Sequence, residues 1–157
     1  MSQLSLRPVE ASDLDAIFEQ MSDPESVRMA AFTAEDPSDR SAFNAHMAKV
    51  MSSSENVLRA IIRDSRLVGT IGSYVADEVT EVTYWIDRAG WGQGIATGAL
   101  GMLLEEISVR PIRARAASDN TGSLRVLQTA GFHPIGTEVS YAPGRATDIE
   151  ETILELP

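Results

Sequence analysis

Three β-rich runs follow one another with almost nothing between them, and this arrangement restricts the fold more than any other feature of the chain. Asn56 to Arg63 and Leu67 to Val75 are joined only by Asp64-Ser65-Arg66, a connection short enough for a hairpin. Asp77-Glu78 makes another turn, and Glu81-Val82-Thr83-Tyr84-Trp85-Ile86 continues as a third run. These strands must be antiparallel neighbours. The meander leads directly into Asp87-Arg88-Ala89-Gly90-Trp91-Gly92-Gln93-Gly94-Ile95-Ala96-Thr97-Gly98, after which Ile95, Ala99, Met102, Leu103 and Ile107 recur at helical spacing. Pro111 to Ala116 reads as a strand and Asn120 to Ala130 as a helix ended by Gly131. Phe132 to Val139 and Thr147 to Leu156 read as strands, the last closing the sheet. An antiparallel meander feeding two helical crossovers implies an α/β (α+β) domain with a mixed, mostly antiparallel sheet of six or seven strands, flanked by about four helices.

The N-terminal third supplies the covering helices. Leu4-Ser5-Leu6-Arg7 alternates like a short strand, and Ser12-x-x-Asp15 predicts a capping box before Leu14, Ile17, Phe18 and Met21. Pro37 and Asp39 open a further helix with Phe43, His46, Met47, Val50 and Met51 on one face, which places His46 in packing rather than catalysis. No repeat or long linker divides the 157 residues, so residues 1–157 are read as a single domain. Gly98 and Gly101 each cost about 1 kcal/mol in a helix relative to alanine, which argues for close helix–sheet packing there.

Composition removes several functions. The chain has no cysteine and two histidines, His46 and His133, so thiol nucleophiles and the usual zinc sites are excluded and no metal is expected. Its formal net charge of −10, without a basic run, argues against nucleic acid. No apolar run approaches the roughly 20 residues that span a bilayer, and Met1 to Pro8 lacks a basic-then-apolar leader; a cytoplasmic protein without a membrane partner is expected. The exposed edges of a small sheet leave a homodimer open.

The loop between meander and helix carries the chemistry. Gly92 and Gly94 bare backbone N–H groups, and the helix that follows turns its positive dipole end toward them, so the segment is built to cradle a phosphate. A nucleotide-triphosphate loop would need Lys-Ser or Lys-Thr after the last glycine, where Ile95-Ala96 stands. A dinucleotide fingerprint would need glycine at Thr97 and an early βαβ unit.

These residues resemble the GNAT acetyltransferase superfamily, and specifically its ribosomal-protein N-terminal (Rim-type) branch. The resemblance covers nearly the whole chain and is strongest in Tyr84-Trp85-Ile86, in Trp91-Gly92-Gln93-Gly94-Ile95-Ala96-Thr97, and in Asn120-Thr121-Gly122-Ser123-Leu124-Arg125-Val126-Leu127 through Gly131-Phe132. It implies a GNAT-like sheet and acetyl-CoA as cosubstrate. The pyrophosphate would lie on the backbone amides of Gly92 to Thr97, with Trp91 and Ile95 in the same motif. The pantetheine arm would pair like a strand with Tyr84, Trp85 and Ile86, and Asn120 would hold its end, although Asn120 also suits a helix N-cap. Many relatives carry a tyrosine seven residues after this asparagine. Leu127 stands there, as in the Rim-type branch, leaving Ser123 as the hydrogen-bonding group for the departing thiolate and Tyr141, in a loop, as the weaker alternative.

A lysine-like amine has a pKa of about 10.4, so transfer at neutral pH benefits from a base. Glu81, on the strand beside the acetyl position, is the first choice and Glu138 the second. The function expected is therefore direct acetyl transfer from acetyl-CoA to a primary amine of a small molecule or a peptide or protein N-terminus, with a non-catalytic acyl-CoA sensor as the alternative. The acceptor pocket would be built from the N-terminal helices and Val139 to Asp148. Asp13, Asp15, Glu19, Asp23, Glu25, Glu35, Asp36 and Asp39 fall in the first of these segments and favour a cationic acceptor.

Overall fold

The computed structural model describes residues 3–157. Seven strands form one sheet: β1 (Leu4–Pro8), β2 (Val57–Arg63), β3 (Arg66–Ala76), β4 (Val79–Ile86), β5 (Ile112–Ala117), β6 (His133–Ala142) and β7 (Thr147–Leu156). Their spatial order is β1-β2-β3-β4-β5-β7-β6, and every pairing is antiparallel except β4 with β5. This is the mixed sheet expected from the order of elements. Among the described residues there are five α-helices where about four were expected: α1 (Leu14–Ser22), α2 (Pro24–Ala30), α3 (Arg40–Ser52), α4 (Ile95–Glu106) and α5 (Thr121–Thr129).

The first meander turn is one residue tighter than the sequence suggested, and the second is as read. Arg66 pairs with Arg63, leaving only Asp64-Ser65 in the first turn, and Asp77-Glu78 forms the second. All four turn residues have positive φ, between 49° and 69°, the left-handed geometry that matches the twist of a two-residue hairpin. At the other end, β7 inserts between β5 and β6 rather than closing the sheet. That makes β6 an edge strand, with Ile135, Val139 and Tyr141 exposed.

The N-terminal helices differ from expectation in their caps. The capping box is formed by Glu10 and Asp13 around a single 3₁₀ turn, not by Ser12 and Asp15. Asp13 accepts the Glu10 amide at 2.8 Å and both Arg7 Nη groups at 2.8 and 2.9 Å, so its geometry is set by β1 as well as by the turn. Helix α2 is an unforeseen element, too short for a periodicity signal, with Asp23 as N-cap and Pro24 at its first position. Helix α3 starts at Arg40, with Asp39 as its N-cap rather than inside it; Phe43 and Met47 turn inward, but His46 is exposed rather than packed.

The largest core cluster lies between the sheet and helices α4 and α5, around Ile71, Leu100, Leu103, Ile112, Leu127 and Phe132. A second, under α1 and α3, gathers Ile17, Met47 and Ala60. The sheet is thus covered on both faces. Gly98 lets α4 approach Leu4 of β1, as anticipated; Gly101 has open space around it, so the packing explanation fails there.

The Arg7–Asp13 pair supports a stability prediction. Hydrogen bonding from Arg7 holds the Asp13 carboxyl below the usual aspartate range, so its contribution is present above the ordinary pKa of about 4 and is lost as pH falls through the lower folded value. Asp13→Asn is expected to cost about 1–2 kcal/mol in urea unfolding at pH 7. The gap to wild type should narrow in the same experiment below pH 4.

Candidate active site

The parallel β4–β5 pair holds for only two residue pairs, Thr80 with Ile112 and Glu81 with Arg113. Beyond them β4 stays with β3 through Ile86, while β5 stays with β7 through Ala117. The strands diverge, and a cleft of about 750 Å³ opens between them. Its walls include Glu81 to Ile86 on one side and Arg115 to Ala117 with Asn120 and Ser123 on the other.

The glycine segment sits at the mouth of this cleft. Gly92 and Gly94 have φ of +74° and +77°, and no neighbour crowds either position, so they are required for backbone conformation rather than for space. Gly94 is the left-handed N-cap of α4, and the first intrahelical bond runs from the Gly98 N–H to the Gly94 carbonyl at 3.0 Å. The amides of Ile95, Ala96 and Thr97 therefore have no intrahelical acceptor. Ile95 is buried and anchors this turn, while Ala96 and Thr97 line the cleft. An anion fits this set of donors.

Of the residues singled out from sequence, Glu81, Tyr84, Trp85, Ile86, Trp91, Gly92, Gly94, Ile95, Ala96, Thr97, Asn120 and Ser123 all border the one cleft. Gln93 does not; its side chain folds back to the Ala89 carbonyl at 2.9 Å. The two indoles brace the loop and wall: Trp91 Nε1 donates to the Ile86 carbonyl at 3.0 Å, and Trp85 Nε1 to the Gln20 carbonyl of α1 at 3.1 Å. Asn120 caps α5 by accepting the Ser123 amide at 3.2 Å, while its amide nitrogen makes a long 3.5 Å contact with the Met29 carbonyl. Tyr141 lies on strand β6, not in a loop, and does not border the cleft.

Glu81 is 7% exposed and does not stand alone. Arg115 of β5 donates from Nε to Glu81 at 3.2 Å and from Nη1 to Glu138 at 2.9 Å and Glu151 at 3.3 Å. Burial works against the Arg115 charge, but its hydrogen bonds to Glu138 and Glu151 and the field of Glu81 and Glu151 outweigh that and hold its pKa above the ordinary value. Burial pushes the Glu151 carboxyl above the usual range despite the pull of Arg115. Glu138 is the most exposed of the three carboxylates and does not reach the cleft.

A family model described as an acetyltransferase (GNAT) domain matches residues 3–133. The chain belongs to the GNAT acetyltransferase family. Two relatives extend the likeness. An uncharacterised N-acetyltransferase, p20, of Bacillus licheniformis is 26% identical over 159 aligned positions, covering 94% of this chain and 89% of that protein. A probable N-acetyltransferase, YjcK, of Bacillus subtilis is 35% identical over 81 positions, covering 46% of this chain and 45% of its own. Among solved structures, Mycobacterium smegmatis RimJ in complex with CoA-disulfide superposes with a TM-score of 0.84 at 22% identity, covering 98% of this chain and 81% of that one. Spermidine N-acetyltransferase from Vibrio cholerae, in complex with CoA and spermine, gives 0.80 at 18% identity, covering 98% and 95%. At those identities the structural likeness establishes the fold. Family model, relatives and fold together make the protein an acyltransferase.

Sequence reasoning missed part of this GNAT site. The acidic residues near its acceptor side were expected from residues 13–39, yet none of those eight borders the cleft; that segment supplies Ser26, Met29, Ala30 and Phe32 instead. Six of the eight are engaged elsewhere, as Asp23 is in capping α2 and Asp15 in pairing with Arg40. The strands contribute Glu81, Arg115 and Glu151 to the cleft's charge, and Asp119 and Arg125 of the β5–α5 segment contribute the rest. Alternating Arg113 and Arg115 in a short strand was the available signal for Arg115, whereas nothing local separates Glu151 from Glu150.

Removing Arg115 leaves its carboxylates without a counter-ion. Arg115→Gln is expected to destabilise the protein by about 1–3 kcal/mol at pH 7, below the fully buried case because the side chain is one-third exposed. Glu151, already raised, should rise further, and stability is lost as pH climbs through a raised carboxyl pKa. Thermal melts should therefore show a larger deficit at pH 8 than at pH 5.5.

Proposed function

We propose that this GNAT protein transfers an acetyl group directly from acetyl-CoA to a primary amine. The observation that carries the reading is the parted β4–β5 pair with the helix N-terminus at its mouth. It offers open backbone edges for an extended amide-bearing arm and free N–H groups for a pyrophosphate in continuous space. In this reading the amides of Gly92 to Thr97 hold the pyrophosphate. The backbone of Tyr84 to Ile86 aligns the pantetheine, and the Asn120 amide, already ordered by its cap, holds the pantetheine end. Bound acetyl-CoA supplies an activated thioester. Glu81 takes a proton from the approaching ammonium, and Ser123 hydrogen-bonds the departing sulfur.

The acceptor end of the cleft carries the two carboxylates of Glu81 and Glu151 around the single Arg115 guanidinium, with Glu138 paired to the same guanidinium outside the cleft, and this acidic balance favours a cationic amine. The apolar side chains of Met29 and Phe32 face the same space and suit the carbon skeleton of the acceptor. Membership of the Rim-type branch rests on Leu127, which is buried in the core where many relatives carry the hydroxyl of a tyrosine. We place the enzyme in the cytoplasm as a single domain without a metal. Any homodimer contact falls on the open edge of β6, where apolar side chains are exposed.

Calorimetry with acetyl-CoA, followed by thiol release against a panel of peptides, polyamines and amino acids, tests this function. Micromolar binding with turnover of at least one cationic amine is expected; binding without turnover would make the protein a sensor, and no binding at millimolar acetyl-CoA would overturn the reading. Glu81→Gln should lower kcat at pH 7 by 10²-fold or more while leaving acetyl-CoA affinity within about threefold. A covalent acetyl-enzyme trapped in single turnover would contradict direct transfer.

A further inference from the structure

Tyr84 was considered above for its backbone, yet its side chain has a separate position. It projects from the opposite face of β4 to Glu81, packs against the main core cluster, and reaches across the cleft to α5. There its hydroxyl lies 2.7 Å from Ser123 Oγ and 3.3 Å from the Ser123 carbonyl. Alongside the Arg115–Glu81 contact, this hydrogen bond joins the two walls of the parted strands, one helical turn from Leu127, where no hydroxyl is provided.

We propose that Tyr84 and Ser123 act as one unit, in which the Tyr84 hydroxyl orients Ser123 so that the serine O–H is presented to the leaving sulfur. The proposal rests on the reading of the cleft as an acetyl-CoA site. The pair holds two hydroxyl protons. When the phenol, the stronger acid of the two, donates to Ser123 Oγ, the serine proton is left over and points away from Tyr84 into the cleft. A hydroxyl that accepts one hydrogen bond donates a stronger one, so the phenol sharpens the serine as a donor to developing negative charge. Burial pushes the Tyr84 phenol above its ordinary value despite its bond to Ser123, so it remains protonated, and a donor, across the working pH range.

The chemical step balances without a proton leaving the pair. The amine nitrogen forms a bond to the acetyl carbon, the carbon–sulfur bond breaks, and its electron pair passes to sulfur as a thiolate hydrogen-bonded by Ser123. The acceptor gives up two protons: the ammonium proton goes to Glu81 before attack and from there to solvent, the one the nitrogen sheds on becoming an amide also goes to solvent, and the thiolate takes one proton from solvent on release. Tyr84 touches no reacting atom and is a positioning residue; Ser123 is the catalytic one. The other titratable or charged groups lining the cleft are Tyr74, Glu81, Arg115, Asp119, Arg125 and Glu151. They are unchanged in the variants below, so their field cancels in the comparison.

The test reads the sulfur directly rather than turnover. The thiol pKa of bound CoA is followed by thiolate absorbance in wild type, Tyr84→Phe, Ser123→Ala and Ser123→Thr, with affinity for a CoA thioether measured in parallel. Wild type is expected to hold the bound thiol below that of free CoA. Tyr84→Phe and Ser123→Ala should each raise it by roughly one unit, with a double variant no worse than Ser123→Ala alone, and Ser123→Thr should restore it. Thioether affinity should stay within threefold throughout. A bound thiol pKa equal in wild type and Tyr84→Phe, with CoA still bound, overturns the pairing; failure of wild type to bind CoA overturns the cofactor reading instead. Ser123→Ala with intact Tyr84 keeps the test usable should Tyr84→Phe fold poorly.

Discussion

Backbone hydrogen bonding that stops after two residue pairs is the constraint on which the site depends. β4 is satisfied on its β3 side over eight pairs and β5 on its β7 side over six, so each strand is held firmly by one neighbour and released by the other. Unpaired N–H and C=O groups on a strand edge are costly to bury and inexpensive to leave facing a solvated gap. The divergence therefore persists because both edges line a cleft. The candidate site residues are placed by it: Glu81 at the last pair, Tyr84 to Ile86 along one open edge, Asn120 and Ser123 beyond the other.

Local and global charge act separately here. A protein with net charge −10 presents an anion site through backbone dipoles, which operate over a few ångströms and are indifferent to distant side chains beyond about a Debye length. At the far end of the same cleft, Arg115 keeps Glu81 and Glu151 in register without neutralising both, while it also pairs with Glu138 outside the cleft. One cavity thus holds an end that favours anions and an end that favours cations, an arrangement suited to bringing a phosphate-bearing donor and a charged amine together.

The fold was legible where the signal was local. Two-residue turns, the Gly94-to-helix transition and the Asp39 cap each depend on residues within a turn of one another, and each was found within a residue or two. Helix α2 escaped because seven residues are too few for periodicity, and its Asp23-Pro24 start lies directly after the end of α1. The place of β7 between β5 and β6 escaped because both orders bury similar faces. At the site, the residues contributed by one contiguous motif were readable, and all but Gln93 border the cleft. Arg115 and Glu151 were not, since their meaning comes from strands 34 and 70 positions downstream of Glu81 meeting it in space. His46 was misjudged because helical spacing marks a stripe without saying how wide the buried part is.

The turn after β6 is tied to the cleft wall. Gly144 donates its amide to the Ala31 carbonyl at the end of α2, and any side chain there would collide with the Val27 and Ala31 carbonyls. Next to it, Arg145 clasps Asp119 with both Nη groups and donates from Nε to the Arg28 carbonyl. One short turn thereby fastens the helix carrying Met29 to the segment carrying Asn120. That side of the cavity is thus fixed by contacts that leave the β4 and β5 strand edges untouched, through this turn, the Asn120–Met29 contact and the Arg88–Asp23 pair. In the proposed reading, substitutions among Met29, Ala30 and Phe32 would change the acceptor while leaving the strand edges proposed for the donor intact.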